Sequence, residues 1–263
     1  EYRNDSTVVR GYSEAHLTPR SDQPGQRLLR HRLDVQPLPA YQSRRLDFHG
    51  NDVFHFQIQR PHTRLVVTAV SEVERSDDDT RLPSPSNRAW QRVVAATAAD
   101  DSRAGLDARG FLLESPLVTP HPDITAYTAE SFPPDRPFAE ALQAFIGRVH
   151  REFTFDSAAT TVSTPVGQVF QARRGVCQDF AHLVIAGLRG LGIAARYVSG
   201  YLETIPPDGQ AKLIGSDASH AWVAVYEPGV GWSEFDPTND IKPSRQHIVT
   251  ALGRDYSDIT PLK

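Results

Sequence analysis

Cys177 is the one cysteine of the chain, and its position favours a nucleophile. It follows Gly175 by two residues, at the predicted start of a mostly apolar helix over residues 177–188. The unpaired N–H groups and the positive end of the helix dipole favour a thiolate there, and a thiolate can attack a carbonyl carbon. A lone cysteine is also commonly a small apolar core residue, so both interpretations stay open for Cys177 taken alone.

His220 is the histidine best placed to act as a base for such a nucleophile. It opens a predicted strand, and the alternation of side chains along a strand puts His220 and Trp222 on the same face. His182 lies on the predicted helix about 140° around the axis from Cys177, where it cannot take the thiol proton. His150 stands at a helix end, where a positive charge is favourable without any chemistry.

Asp236 is the predicted third member of the constellation. It ends the strand that follows His220, where a hairpin return brings the chain back beside its partner strand. A carboxylate there can hold the imidazole in the useful tautomer and stabilise its charged form. The sequence around it, Asp-Pro-Thr-Asn at 236–239, is also typical of a turn, so Asp236 alone has a purely structural interpretation.

The element that precedes these residues is a predicted antiparallel β module. Residues 26–35 and 64–73 are rich in Leu and Val that alternate with polar side chains. Gly50-Asn51 separates two short alternating runs, as a hairpin turn does. Residues 75–88 are rich in Asp, Ser and Pro, so they predict a linker or a surface loop.

Helices and a second sheet must position the candidate residues. Apolar residues recur at spacings of three and four over 138–149, which predicts one buried helix face, and Asp135 is predicted to cap its start. Thr164-Pro165 predicts the start of another helix, which ends near Gly175. Further elements are predicted as a helix over 90–99, strands over 193–202, 219–227 and 231–235, and a loop over 206–217 that either rims a substrate cleft or is a solvated turn.

A helix followed by an antiparallel sheet predicts an α+β fold. The predicted organisation is an N-terminal antiparallel β module over residues 1–75, a linker and helical excursion over 76–135, and a catalytic core over 136–263.

The composition argues against several other classes of protein. The net charge of −4, with both signs interspersed, gives no reason to expect a nucleic-acid partner, and no apolar run approaches the about 20 residues that span a membrane. One cysteine forbids an internal disulfide and fits a reducing compartment, so a cytoplasmic location is predicted, while a leader removed before Glu1 stays open. No His-x-x-x-His or Cys-x-x-Cys spacing occurs, so neither a metal nor a cofactor is predicted.

Four ordered blocks of the sequence resemble the core of bacterial transglutaminase-like cysteine proteases. They are RGVCQDFA at 174–181, RYVSGY at 196–201, DASHAW at 217–222 and, between 231 and 239, GW followed by FDPTN. The β segment over residues 8–73 is similar to the region that precedes this core in bacteria. The resemblance implies a papain-like core with Cys177 as nucleophile, His220 as general base and acid, and Asp236 as the orienting carboxylate.

Three further residues receive candidate roles beside the triad. The N–H of Cys177 and a second donor are expected to bind the oxyanion, and Gln171 resembles that donor, although helix packing explains it equally well. Asp179 is either support for the substrate cleft or a carboxylate that stabilises the start of the helix. Trp222 either shields the His220–Asp236 hydrogen bond from water or only fills the core.

The predicted function is that of a cysteine-nucleophile amidohydrolase or peptidase. It would act on peptide or isopeptide (Gln-type) amide bonds of a peptide or protein substrate through a thioester. A protein-glutamine transamidase is the alternative, because hydrolysis and transfer share every step up to the acyl-enzyme. A non-catalytic peptide-binding module on the same fold is the third reading, and the oligomeric state is left unpredicted.

Overall fold

The computed structural model describes residues 1–76, 82–205, 212–215 and 218–263. The strands are β1 (Tyr2–Val8), β2 (Gly11–Ala15), β3 (Gln26–Gln36), β4 (Tyr41–Leu46), β5 (Asp52–Ile58), β6 (His62–Arg75), β7 (Thr154–Phe155), β8 (Arg174–Gly175), β9 (Ala195–Leu202), β10 (Ser219–Glu227), β11 (Gly231–Phe235) and β12 (His247–Gly253). The helices are α1 (Trp90–Ala99), α2 (Arg103–Gly110), α3 (Pro122–Ala129), α4 (Phe138–Glu152), α5 (Val166–Ala172) and α6 (Cys177–Gly190). None of these described helices is long and apolar enough to cross a membrane.

The amino-terminal module consists of two three-stranded antiparallel sheets, with strand orders β1-β6-β3 and β2-β5-β4. Alternate residues of β5 point inward, and Phe54, Phe56 and Ile58 are buried in the cluster between the sheets. Gly50 has a φ of +74° in the turn between β4 and β5, a conformation that favours glycine. The predicted antiparallel β module is confirmed.

The core is a four-stranded antiparallel sheet of order β11-β10-β9-β12 with α6 against one face. The apolar residues of α6 point in every direction, and the helix is buried on all sides because α3, α4 and α5 surround the part that the sheet leaves uncovered. The predicted α+β class is confirmed, and β10 and β11 have the predicted bounds. Residues 206–211 and 216–217 of the predicted loop, and 77–81 of the predicted linker, lie outside the described residues.

The prediction that Asp135 caps α4 is wrong. Pro137 is the residue before the helix, and no side chain caps it. The first donors of α4 are satisfied from elsewhere, because the N–H of Phe138 lies 2.8 Å from the carbonyl oxygen of Arg88, and that of Ala139 lies 3.2 Å from the carbonyl oxygen of Ser86. Asp135 itself has a φ of +60° in the preceding turn.

Side-chain amides dock the amino-terminal module on the outer edge of β12. Gln26 donates to the carbonyl oxygen of Val249 and accepts from its N–H, each at 2.8 Å. Asn51 forms the same reciprocal pair with Leu252, again at 2.8 Å on both sides. An edge strand has unpaired backbone groups, and these two buried amides take the place of the missing neighbour strand.

Candidate active site

Cys177 is the first residue of α6, and Val176 alone separates it from β8. The N–H of a first helical residue has no acceptor within its helix, so it can donate to an oxyanion. Oδ2 of Asp179 accepts from the N–H of Val176 at 2.8 Å and from the hydroxyl of Thr160 at 2.6 Å, which fixes the start of the helix. A Cβ at Gly175 would lie 2.7 Å from that oxygen, so a glycine is needed there.

His220 and Asp236 meet because β10 and β11 form a hairpin. The pairing of Val223 with Phe235 returns the chain, so that the residue after Phe235 lies beside the start of β10. Nε2 of His220 lies 2.8 Å from Oδ2 of Asp236, and both side chains are fully buried. The imidazole is therefore oriented by a carboxylate that water does not reach.

Cys177 lies near the imidazole. Nδ1 of His220 is buried without a hydrogen-bond partner among the described residues, and the thiol of Cys177 is close enough to affect the titration of the ring. Burial lowers the pKa of His220, but the hydrogen bond with Asp236 and the interaction with Cys177 outweigh it and raise the pKa from 6.5 to about 9. Cys177 is half-buried, so the described residues bring a partly exposed cysteine, an imidazole and a carboxylate close to one another.

Asp236 is held in its charged form. Its Oδ1 accepts from the N–H groups of Thr238 at 2.9 Å and Asn239 at 3.3 Å. Its Oδ2 accepts from the side-chain amide of Asn239 at 2.8 Å, in addition to the bond from His220. Burial raises the pKa of Asp236, but the hydrogen bonds from His220 and His247 hold it well below its usual range.

The sequence matches two family descriptions in succession. Residues 1–74 match the bacterial transglutaminase-like N-terminal region, and residues 126–237 match the transglutaminase-like superfamily. A protein of Mycobacterium tuberculosis is 41% identical over 273 residues, which covers the whole chain and 84% of that relative. The chain belongs to the transglutaminase-like superfamily.

Other members of the transglutaminase-like superfamily extend the comparison. The M. tuberculosis relative is uncharacterized, as is a Mycobacterium leprae protein that is 33% identical over the whole chain and 88% of its own length. The protein-glutamine gamma-glutamyltransferase of Pseudomonas aeruginosa is 32% identical over 123 residues, which cover 43% of the chain and 18% of that enzyme. A Cytophaga hutchinsonii crystal structure, named "Putative Cysteine Protease", has the same fold with a TM-score of 0.75 and 22% identity over the whole chain and 81% of that protein.

His247 is a residue of this transglutaminase-like site that the sequence analysis missed. It is buried in β12, and its Nε2 lies 3.3 Å from Oδ2 of Asp236. Its Nδ1 accepts from the N–H of Ser244 at 3.4 Å, so Nε2 carries the proton and donates to the carboxylate. The alternating apolar residues over 247–253 are a signal for the strand, but no local pattern connects that strand to Asp236.

His220, Asp236 and His247 together form a potential metal site. The ligand atoms of His220, Asp236 and His247 lie within 4.8 Å of one another. The members of this group come from three separate segments of the chain, so no His-x-x-x-His or Cys-x-x-Cys spacing reveals them. A cation there would replace the hydrogen bonds that both rings make to Oδ2, and His220 would lose the orientation that a base needs.

Asn239 connects Asp236 to Ile214, which lies in the described part of the loop before β10. Its Oδ1 accepts from the N–H of Ile214 at 2.9 Å, and its Nδ2 donates to the carbonyl oxygen of Ile214 at 3.2 Å as well as to Asp236. The next residue, Gly215, covers the ring of His220. A Cβ at that position would lie 2.5 Å from Nδ1, and the φ of +89° also favours glycine.

The remaining candidates have different surroundings. Trp222 is fully buried and stacks on His220 with ring centroids 6.0 Å apart, and its indole N–H donates to Glu234 at 2.8 Å. Gln171 is exposed in the last turn of α5 and forms no hydrogen bond with a triad residue within the described part of the chain. Its role as an oxyanion donor stays a prediction. Gln178, beside the nucleophile, is buried and donates to the carbonyl oxygen of Val162 at 3.0 Å.

Proposed function

We propose that the chain is an amide hydrolase that uses Cys177 as a nucleophile and acts on a peptide or protein substrate. The observation that carries this proposal is the buried hydrogen bond of 2.8 Å between His220 and Asp236, with the thiol of Cys177 near the same imidazole. The membership of the superfamily supports an enzyme with this kind of chemistry.

The acylation step follows from the charges of the site. The raised pKa of His220 favours the imidazolium at neutral pH, and an imidazolium beside Cys177 stabilises the thiolate. The sulfur attacks the substrate carbonyl carbon and forms a C–S bond, and the N–H of Cys177 donates to the oxyanion. His220 then gives its proton to the leaving nitrogen as the C–N bond breaks, which leaves a thioester and a neutral imidazole.

Deacylation uses the same groups in reverse. The neutral His220 takes a proton from water, and the hydroxide oxygen attacks the thioester carbon. The C–S bond breaks, the carboxylic acid product leaves, and the thiolate–imidazolium pair forms again. Asp236 stays ionised throughout and stabilises the imidazolium, because its five hydrogen-bond donors oppose protonation.

Transfer to an amine is the second candidate reaction. One observation favours it, namely the similarity over 123 residues to the protein-glutamine gamma-glutamyltransferase of P. aeruginosa. The chemistry differs only in the acceptor, since an amine in place of water attacks the same thioester and forms an amide. The two reactions therefore need a test that identifies the product.

The test incubates the protein with a peptide library in ¹⁸O water, with and without monodansylcadaverine, and follows the products by mass spectrometry. Hydrolysis adds one ¹⁸O to the new carboxyl group, and transfer adds the mass of the amine. A new amino terminus identifies a backbone amide as the substrate, whereas released ammonia identifies a glutamine side chain. We expect the product that contains ¹⁸O. If only the amine is incorporated, the reaction is transfer and not the proposed hydrolysis.

Three variants separate catalysis from binding. Cys177→Ala and His220→Ala are expected to remove all product, and iodoacetamide labelling of Cys177 is expected to slow in His220→Ala because the imidazolium no longer stabilises the thiolate. His62→Ala, in the amino-terminal module, is the matched control and should react like the unchanged protein. Peptide binding without any product, together with labelling that is equally slow in both proteins, would instead favour a binding module.

A further inference from the structure

A cavity lies on the face of the core sheet that is turned away from α6. It has a volume of about 600 Å³ and is bordered by the amino-terminal module, by the segment from Leu82 to Ser84 and by side chains of β9, β11 and β12. Cavities of about 300–1,000 Å³ are typical of small-molecule sites. Cys177, His220 and Asp236 do not line it, so the cavity is separate from the candidate active site.

The described lining carries more positive than negative charge. The described lining contains four cationic side chains and two carboxylates, although the chain as a whole has a net charge of −4. The cations are Arg20, Arg75, Arg196 and Lys242, and the carboxylates are Asp22 and Glu234. A cleft with one predominant sign and apolar walls concentrates ions of the opposite sign.

The two carboxylates are already engaged. Asp22 accepts two hydrogen bonds from Arg20, at 2.9 and 2.6 Å. Glu234 accepts from the indole N–H of Trp222 at 2.8 Å. Arg20 also donates to Asn51 and to the carbonyl oxygen of His49, so its guanidinium is committed to the protein.

Arg196 is different from Arg20. Its Nε is buried without a hydrogen-bond partner, and Arg196 forms no ion pair of 4.0 Å or less with any other described residue. Its guanidinium carbon lies 4.2 Å from the ring centroid of Trp232, which holds the group against one wall of the cavity. Burial lowers the pKa of Arg196 to about 9, and the charge of Glu234 opposes that only in part.

A half-buried guanidinium whose buried Nε has no acceptor is unfavourable for folding, and such groups are usually paired or bind a ligand. The planar fork of arginine donates two parallel hydrogen bonds to a carboxylate or a phosphate. Apolar side chains next to Arg196 complete the wall, among them Leu82, Pro83, Val249 and Leu252. An occupant therefore needs an anionic group for the guanidinium and an apolar body for these residues.

We propose that this cavity binds a small organic anion, which carries a carboxylate or phosphate group held by Arg196 and an apolar or aromatic part held by the surrounding wall. The proposal is independent of the proposed amide hydrolysis, because no residue of the triad takes part. Carboxylates and phosphates share the recognition by arginine, and the experiment distinguishes them.

The test titrates the full chain with phthalate, succinate and phenyl phosphate by isothermal titration calorimetry at constant ionic strength. Phthalamide, the neutral counterpart of phthalate, is the control ligand. At least one of the three anions is expected to bind, and phthalate or phenyl phosphate more tightly than succinate because of the aromatic ring. Absence of binding by all three anions, or equal binding of phthalate and phthalamide, overturns the proposal.

Variants of Arg196 then test the residue itself. Arg196→Met is expected to weaken binding of the tightest anion by about tenfold or more, since a charge-assisted bidentate pair is lost. Arg196→Lys is expected to retain only part of the anion affinity, because an ammonium group lacks the planar fork that donates two parallel hydrogen bonds. Arg32→Met, in β3 and outside the cavity, is the matched control and should bind like the unchanged protein.

Thermal unfolding without any anion provides a readout that separates a ligand site from a structural role. Removal of a half-buried charge whose Nε has no acceptor is expected to raise the melting temperature of Arg196→Met. If the substitution lowers the melting temperature and leaves anion affinity unchanged, Arg196 serves the fold alone and the proposal fails.

Discussion

His247 donates its Nε2 proton to Oδ2 of Asp236, at a distance of 3.3 Å. The same oxygen accepts from His220 at 2.8 Å, so two buried imidazoles share one carboxylate oxygen. The bond from His247 adds to that from Asn239, limits the rotation of Asp236 and helps to keep it ionised, and both effects help to hold the ring of His220 in place. We infer that His247 is a positioning residue for the proposed reaction.

His247→Phe is expected to lower kcat by about tenfold with little change in KM, because one buried hydrogen bond to a charged group is lost while the ring still packs on Trp222. His247→Gln keeps an amide donor at a similar distance and should recover much of the loss. Steady-state kinetics on the peptide from the library gives both constants. Equal activity of the Phe variant and the unchanged protein at every pH would show that Asp236 needs no second imidazole.

The sequence predicted that His220 and Asp236 are neighbours because both lie in strongly patterned segments. The apolar run over 177–188 predicts the helix that is observed as α6, and the patterns over Ser219–Glu227 and Gly231–Phe235 predict a hairpin whose return brings Asp236 beside His220. The residues that accompany the triad were harder to predict. His247 reaches Asp236 only through the pairing of β12 with β9, which is a contact between distant segments.

One wrong prediction and one missed contact have related causes. The cap assigned to Asp135 depended on a local rule, and the actual acceptors for α4 are carbonyl oxygens of residues 86–88, about fifty positions away in the chain. Asn51 was recognised as part of a turn, but its amide pairs with the backbone of Leu252. Side chains that satisfy distant backbone groups leave no periodic signal in the sequence.

The pH dependence of the proposed reaction follows from His220. Its pKa is raised from 6.5 to about 9, so the imidazolium that protonates the leaving nitrogen is present below that pH and is lost as the pH rises through it. We therefore expect kcat/KM to fall above about pH 9. Asp236→Asn removes the carboxylate that raises this pKa, and the fall should move to lower pH. A profile over roughly pH 6 to pH 10 for both proteins measures the shift, and identical alkaline limbs would contradict the assignment.

Gly215 offers a test of how closely the loop end covers His220. Gly215→Ala would put a Cβ 2.5 Å from Nδ1, so either the ring or the backbone must move. We expect kcat/KM to fall by about 100-fold, as small displacements of catalytic groups do. Gly229→Ala is the matched control, since its φ of +83° is similar but its Cβ would meet nothing within 4 Å.

Both substitutions carry a similar backbone cost of about 1 kcal/mol, so a comparison of their melting temperatures isolates the steric effect on the ring. Gly229→Ala should keep full activity with a slightly lower melting temperature. If the two variants have equal kcat/KM, the loop end does not constrain the ring of His220 in solution.

His182, which lies outside the candidate active site, is expected to make the stability of the fold depend on pH. Burial lowers its pKa from 6.5 to about 4, although the charge of Asp255 opposes the shift, and its Nε2 accepts from the N–H of Tyr256 at 3.2 Å, which requires the neutral ring. Because the folded pKa lies below the unfolded one, the stabilisation is complete above about pH 6.5 and is lost as the pH falls toward about 4.

The expected loss from His182 is about 2 kcal/mol at about pH 5 relative to neutral pH. His182→Gln keeps an acceptor for Tyr256 but cannot take up a proton, so its free energy of unfolding should fall less between those two pH values. Urea unfolding at both pH values measures the difference, with His62→Gln as a control outside the core. If His182→Gln loses as much stability on acidification as the unchanged protein, the histidine is not the group that takes up the proton.

The stability of His182→Gln at neutral pH separates this effect from a loss of packing. Because glutamine still accepts the hydrogen bond from Tyr256, the variant should be nearly as stable as the unchanged protein at neutral pH.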